Sequence, residues 1–291
     1  MTPSTAAPAA TAAPVVRRRL LDTRLGQLMV RTAGPTGPAA AALPPLVLLH
    51  MSPLSGRMFE KVLPRLAADR LVVMPDRIGF GQSDRLAAPV AFGEYALATR
   101  DALDGLGIEV YDVFGMHTGS NEAVEHATAW PERVRRAGVA AVPLFTPEEV
   151  ADFKAHYSAP PVIEPDGSHL QRYWEWWQQA GIWWEDQGRP AWPAELRWSR
   201  VRDHLIAGPN VWWTYHAVFD YPLAEKLGQL RQPFLVLAPH DDLWTQTERA
   251  LPLLPPQAEV VDMPHGDSEI FDLLADETAE HLHRFFGEAA A

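Results

Sequence analysis

Six short apolar runs, most of them separated by helix-patterned segments, constrain this chain more than any other feature. They are Leu46–His50, Leu71–Pro75, Val110–Gly115, Ala137–Val142, Pro233–Ala238 and Glu259–Met263. Runs this short, apolar almost throughout and partly β-branched, suit strands that are covered on both faces. Between them, Arg57–Ala68 places Met58, Val62, Leu63 and Leu66 on one helical face, and Tyr95–Leu106, Asn121–Ala129 and Ser268–Phe286 read as further helices. Alternation of strand and helix calls for right-handed crossovers, hence an α/β architecture with a mostly parallel sheet and helices on both faces. Arg17–Thr23 and Gln27–Ala33, joined at Leu25–Gly26, read as a leading hairpin. Eight strands are therefore expected.

One interval breaks the rhythm. About 80 residues, 143–221, separate two neighbouring strands. A connection that long implies an inserted subdomain. The expected organisation is a core of 17–142 and 222–291 with a Trp-rich helical insert at 143–221. The insert holds nine of the eleven Trp, including the pairs Trp176–Trp177, Trp183–Trp184 and Trp212–Trp213. Adjacent helical residues point about 100° apart. Each pair therefore splits between the interior of the insert and another surface, and a flat, apolar ligand pocket is one such surface. The first sixteen residues, Ala-, Pro- and Thr-rich, read as a disordered arm, and Gly34–Pro45 as a long loop.

Composition removes several function classes. Twenty-five Lys and Arg against 37 Asp and Glu leave a net charge of −12. That balance argues against nucleic acid or an anionic membrane surface as partner. No apolar run approaches the roughly 20 residues of a membrane span. With no Cys, disulfides, thiolate metal sites and a Cys nucleophile are excluded. The N-terminus shows no secretory signal pattern, and together these features agree with a cytoplasmic protein. The expected partner is a small apolar or aromatic substrate, with self-association into a homo-oligomer left open.

In open parallel sheets the active groups sit just past the carboxyl ends of the strands. After Val110–Phe114 comes Gly115-Met116-His117-Thr118-Gly119 and then a helix. Small residues on both sides of a tight strand-to-helix turn are needed where the central residue is strained and backbones pass closely. This is the form of a nucleophile elbow, with His117 in place of Ser. The other strand ends carry His50-Met51-Ser52, Asp76–Asp84, His240-Asp241-Asp242 and His265-Gly266-Asp267.

These turns resemble those of the α/β-hydrolase superfamily, over about residues 46 to 286. Pro75–Asp84 matches a P-D-x-x-G-F-G-x-S-D pattern, and the order elbow, acid, His agrees as well. The resemblance implies an α/β-hydrolase fold with a helical cap inserted after the sixth strand. It implies Asp242 as the acid, with Asp241 and Glu148 as competitors, and His265 as the general base. Backbone N–H groups of Ser52 and Thr118 would form the oxyanion hole. The departure is the elbow, because a covalent Ser mechanism does not transfer to His117. Ser120, one residue past the elbow, would face away from its tip.

Three roles for His117 remain open at this level. It could attack an acyl carbon directly, since neutral imidazole needs no deprotonation. It could act as a general base with His265. It could join His265 and an acid around a metal; no HxxxH or HxH spacing supports that, so neither metal nor cofactor is expected. His50, Met51, Trp177, Trp184, Trp213 and Trp244 are the candidate pocket residues. The expected activity is cleavage of a hydrophobic, aromatic ester, lactone or ketone-type substrate. The alternatives are a cofactor-free lyase or isomerase and a binding protein that has lost its nucleophile.

Overall fold

The computed structural model describes residues 14–35, 43–186 and 188–287, without the side chains of 182–184. Most of the expected N-terminal arm and part of the expected loop at 34–45 lie outside the described residues. The strands are β1 (Arg17–Thr23), β2 (Gly26–Ala33), β3 (Leu46–Leu49), β4 (Val72–Pro75), β5 (Tyr111–Met116), β6 (Val134–Ala140), β7 (Phe234–Pro239) and β8 (Ala258–Met263). The helices are α1 (Leu63–Leu66), α2 (Phe92–Gly105), α3 (Thr118–Ala129), α4 (Pro147–His156), α5 (Ser168–Asp186), α6 (Ala194–Ala207), α7 (Val211–Phe219), α8 (Leu223–Leu227), α9 (Trp244–Ala250), α10 (Ile270–Leu273) and α11 (Ala275–Gly287).

One eight-stranded sheet results, in the order β1-β2-β4-β3-β5-β6-β7-β8. The β1–β2 hairpin joins antiparallel, through β2 against β4, and every other pairing is parallel. The period of two along each strand sorts side chains between two cores. Leu46, Leu48, Phe114, Met116, Leu235 and Leu237 face one core, which α1, α10 and α11 cover. Val47, Leu49, Val113, Phe234 and Val236 face the other, under α2, α3 and α8. Both faces of β3, β4 and β7 are covered, which is why these strands are apolar at every position rather than at alternate ones.

Two helices differ from the sequence expectation. The segment predicted as one helix over Arg57–Ala68 is a 3-10 turn, Gly56–Phe59, followed by the short α1 with Pro64 in its first turn. Proline lacks an N–H and tolerates only the first turn of a helix, so the continuous helix is interrupted there. The helix expected from Ser268 begins later and breaks at Leu274, whose φ of −122° is not helical.

Helices α4 to α7 lie between β6 and β7. Apolar side chains of this insert, Trp177, Trp192, Leu196 and Val201, join the core that α1 and α11 cover. Polar contacts fasten it further. Arg200 Nε donates to Glu269 Oε1 at 2.9 Å, Ser55 Oγ donates to Asp203 Oδ2 at 2.7 Å, and Trp192 Nε1 donates to Asp267 Oδ2 at 3.1 Å. Every one of these residues is buried. Breaking a buried pair leaves an uncompensated charge, so the insert is held in one position over the strand ends.

Candidate active site

The elbow is built by close backbone approach. A Cβ on Gly115 would stand 1.8 Å from Gly119 O, and one on Gly119 would stand 2.0 Å from Leu49 O. No side chain fits at either position. Between them His117 has φ 50° and ψ −116°. That region is disfavoured for any residue with a Cβ, at about 1–3 kcal/mol. The conformation is held by hydrogen bonds from His117 N to Ala140 O at 3.0 Å and from Ser120 N to His117 O at 2.8 Å. The Ser120 hydroxyl is fully buried and donates to Ala140 O at 2.8 Å, so it presents no nucleophile to the cavity.

The His117 side chain meets the turn after β7. Its Nε2 lies 2.7 Å from Asp241 Oδ2. A carboxylate only accepts, so Nε2 carries the proton in this pair. Asp241 is itself fixed: it is buried, and its Oδ1 accepts from Leu243 N at 2.9 Å. The expected acid, Asp242, is displaced from that role. Its side chain is 73% exposed, and its Oδ1 stands 3.9 Å from Nε2. Glu148 is exposed in the first turn of α4. Burial by itself would push the imidazole down. The Asp241 carboxylate, by charge and hydrogen bond, with Asp242 and Glu269 behind it, overrides this and holds His117 up at about 8.

His265 does not reach this site. Its side chain is 56% exposed and its Nε2 pairs with Glu277 Oε2 at 2.9 Å. The cause is a β-turn closed by Gly266 N donating to Met263 O at 2.8 Å. Pro264 and His265 are its two central residues, and central turn residues face solvent. The chain re-enters the site two residues later. Asp267 is buried, and it accepts from Trp192 Nε1 and, at 2.6 Å, from Glu269 N. Burial, then the charges of Glu269 and Asp241, raise its carboxyl to about 7. Asp267 was not singled out in the sequence. The signal that was available is its place as the last polar residue of the turn, two before the Glu269 N–H that it caps.

His117, Asp241 and Asp267 share a cavity of about 480 Å³ with the oxyanion candidates Ser52 and Thr118. Ser52 N donates to Thr118 Oγ1 at 3.4 Å. The rest of the wall is mostly apolar and aromatic, and includes Met51, Phe145, Tyr157, Trp177, Trp192 and Phe219. Of the expected pocket residues, Met51 and Trp177 line it. His50 lies beneath the floor. Its Nδ1 donates to Met51 O at 2.8 Å and its Nε2 accepts from Arg77 N at 2.9 Å. Burial keeps His50 neutral, well below its ordinary range. Trp213 lines a separate hollow beside Tyr221. Trp244 stacks on His240 with ring centres 3.6 Å apart. The Trp184 side chain lies outside the described residues.

Among the described residues, His117, Asp241 and Asp242 form the one group whose ligand atoms suit a metal ion, all within 4.8 Å of one another. A cation there would have to displace the Nε2 proton that now bridges His117 and Asp241. Also among the described residues, no helix is long and apolar enough to cross a membrane.

No known family's profile matches the chain. A 2-hydroxymuconate semialdehyde hydrolase of Pseudomonas sp. strain CF600 is 35% identical over 99 residues, which is 32% of this chain and 34% of that protein. The matches span 28% to 34% of the curated relatives' own lengths. Solved structures align over nearly the whole chain. A hydrolase from Pseudomonas aeruginosa PA01 superposes with a TM-score of 0.77 at 19% identity, over 93% of this chain and 98% of that one. The enol-lactonase from Burkholderia xenovorans LB400 gives 0.76 at 15%, over 93% of this chain and 100% of that one.

Proposed function

We propose that this chain, which has the α/β-hydrolase fold, hydrolyses hydrophobic esters or lactones with water activated by His117. One observation carries the reading: the 2.7 Å bond from His117 Nε2 to buried Asp241, at the floor of a largely aromatic cavity. With Nε2 engaged, the deprotonated ring offers its Nδ1 lone pair. Nδ1 adjoins the ring carbon that bears the side chain, so it is the more crowded nitrogen for attack on carbon. Taking a proton from water is less demanding. Nδ1 removes a proton from water, the hydroxide adds to the acyl carbon, and the carbonyl oxygen accepts from the backbone N–H groups of Ser52 and Thr118. The protonated imidazole then returns its proton to the leaving oxygen. Asp241 holds the tautomer and stabilises the imidazolium. The names of the relatives, a semialdehyde hydrolase and an enol-lactonase, support acyl or related bond cleavage.

A panel of aryl esters and lactones tests this together with its pH dependence. The base works only when deprotonated, so kcat/KM is expected to rise with pH to a plateau, with a midpoint near 8. A flat profile from about pH 6 to about pH 9 would remove His117 as the base.

Asp267 favours a second reading, proton relocation by a lyase or isomerase. A carboxyl raised to about 7 lines the same cavity as an imidazole raised to about 8. Two such groups can take a proton from one substrate atom and return it to another. Solvent deuterium appearing at a substrate carbon, and lost in Asp267→Asn, would carry this reading. Ester hydrolysis without such exchange would exclude it.

A further inference from the structure

Two charged side chains lie buried beneath the oxyanion candidates, and the chemistry proposed above uses neither. Arg77 is 2% exposed and Glu122 1%. Arg77 follows β4 and stands at an unspecified position of the Pro75–Asp84 pattern. Glu122 lies on α3, one helical turn after Thr118. Arg77 Nε donates to Glu122 Oε2 at 2.7 Å, and Thr99 Oγ1 donates to Glu122 Oε1 at 2.6 Å. Stability alone is a weak reason for such a pair. Both charges lose their hydration, and apolar residues of similar volume often serve a fold as well.

The rest of the guanidinium reaches the oxyanion loop. Arg77 Nη2 donates to His50 O at 3.0 Å, and Nη1 donates to Ser52 Oγ at 3.4 Å. Those two residues flank Met51, whose carbonyl accepts from His50 Nδ1 at 2.8 Å. The Met51–Ser52 peptide is trans, so its C=O and N–H point in opposite directions within one plane. Holding Met51 O on the buried His50 ring therefore aims Ser52 N–H the other way, where it meets Thr118 Oγ1 at 3.4 Å. The Arg77 side chain fixes the loop that carries one oxyanion donor. Its partner Glu122 sits on the helix that carries the other, so one ion pair spans the two.

We propose that Arg77 and Glu122 are positioning residues, a brace that sets the separation and aim of the Ser52 and Thr118 backbone N–H groups. This role rests on the ester- or lactone-cleaving reading. Oxyanion donors work at about 2.7–3.1 Å from the developing charge, and misplacement by about 1 Å costs about a hundredfold in rate. The place demands an arginine. Lys would keep the charge toward Glu122 but has no planar fork to hold Glu122, His50 O and Ser52 Oγ at once.

Phenyl acetate is the substrate, phenyl methylphosphonate the tetrahedral anion and acetanilide the planar neutral analogue. Arg77→Lys is expected to lower kcat about ten- to a hundredfold, with KM unchanged within about twofold. By calorimetry it should weaken the phosphonate about tenfold and leave acetanilide unchanged. A pair that served only the fold would move both ligands or neither. The double variant Arg77→Met, Glu122→Leu removes the pair without leaving a lone buried charge. It should show the same loss of kcat with a cooperative urea transition, and it carries the test if Arg77→Lys does not fold. A kcat within about twofold of the parent in a folded variant, or equal losses for phosphonate and acetanilide, would overturn the proposal. A parent that cleaves no ester sinks the proposed function by itself. Crystal structures of the parent and Arg77→Lys then decide the brace. A Ser52 N to Thr118 N separation changed by more than about 0.5 Å supports it, and an unchanged separation overturns it.

Discussion

Replacing His117 with alanine or with glycine is expected to lower turnover about a thousandfold in both variants, while the two differ in stability. Both lose the imidazole and leave Asp241 with the same missing partner, so those effects cancel between them. Only the backbone requirement remains. His117 sits at φ 50°, ψ −116°, which glycine adopts freely and alanine does not. The strain is about 1–3 kcal/mol, and glycine's greater freedom in the unfolded chain takes back about 0.5–1 kcal/mol. The glycine variant should therefore be the more stable by about 1 kcal/mol, read as a higher urea midpoint with an unchanged slope. Equal midpoints would mean that the elbow relaxes when the imidazole is gone. Turnover retained in either variant would remove His117 from the chemistry. The comparison separates what the side chain does from what the turn needs, because a residue held in a costly conformation marks a place where the fold gives up stability for geometry.

The elbow was legible in the sequence because its requirement is local. Gly115 and Gly119 leave no room for a Cβ, and that constraint is written as residue type at fixed spacing. The sheet was legible for a related reason: burial on both faces leaves no polar alternation in β3, β4 or β7. The partners of His117 were not legible in the same way. Asp241 and Asp242 are adjacent carboxylates, and composition cannot separate them. What separates them is the turn after β7, where Leu243 N anchors Asp241 Oδ1 and leaves Asp242 in solvent. The turn after β8 misled through residue type. A histidine there invites a catalytic reading, yet the Met263–Gly266 turn points His265 outward toward Glu277 and lets Asp267 turn inward. Direction within a turn depends on which carbonyl closes it, and that is a tertiary fact. Pro64 shows the converse, since a proline that breaks a helix is visible in the sequence and the apolar periodicity of Arg57–Ala68 hid it.

Asp241→Asn is expected to lower turnover by about two to four orders of magnitude, since the amide can hold the ring yet cannot stabilise the imidazolium. It should also move the pH profile. Burial pushes His117 down, and the Asp241 charge is the strongest force opposing it, so removing that charge lets burial prevail. The midpoint of activity should then fall from about 8 to below the ordinary histidine value of about 6.5. Stability follows the same linkage. A histidine raised from about 6.5 in the unfolded chain to about 8 in the folded one contributes about 2 kcal/mol. That contribution is fully present below about pH 6.5 and is lost as pH rises through about 8. The variant should therefore be less stable than the parent by about 2 kcal/mol more at about pH 6 than at about pH 9, by urea unfolding at each pH. A loss of equal size at both values would mean that Asp241 acts on the fold through its hydrogen bonds alone. Should the rate fall while the midpoint of activity stays near 8, the titrating group would not be His117, and the base would have to be sought at Asp267.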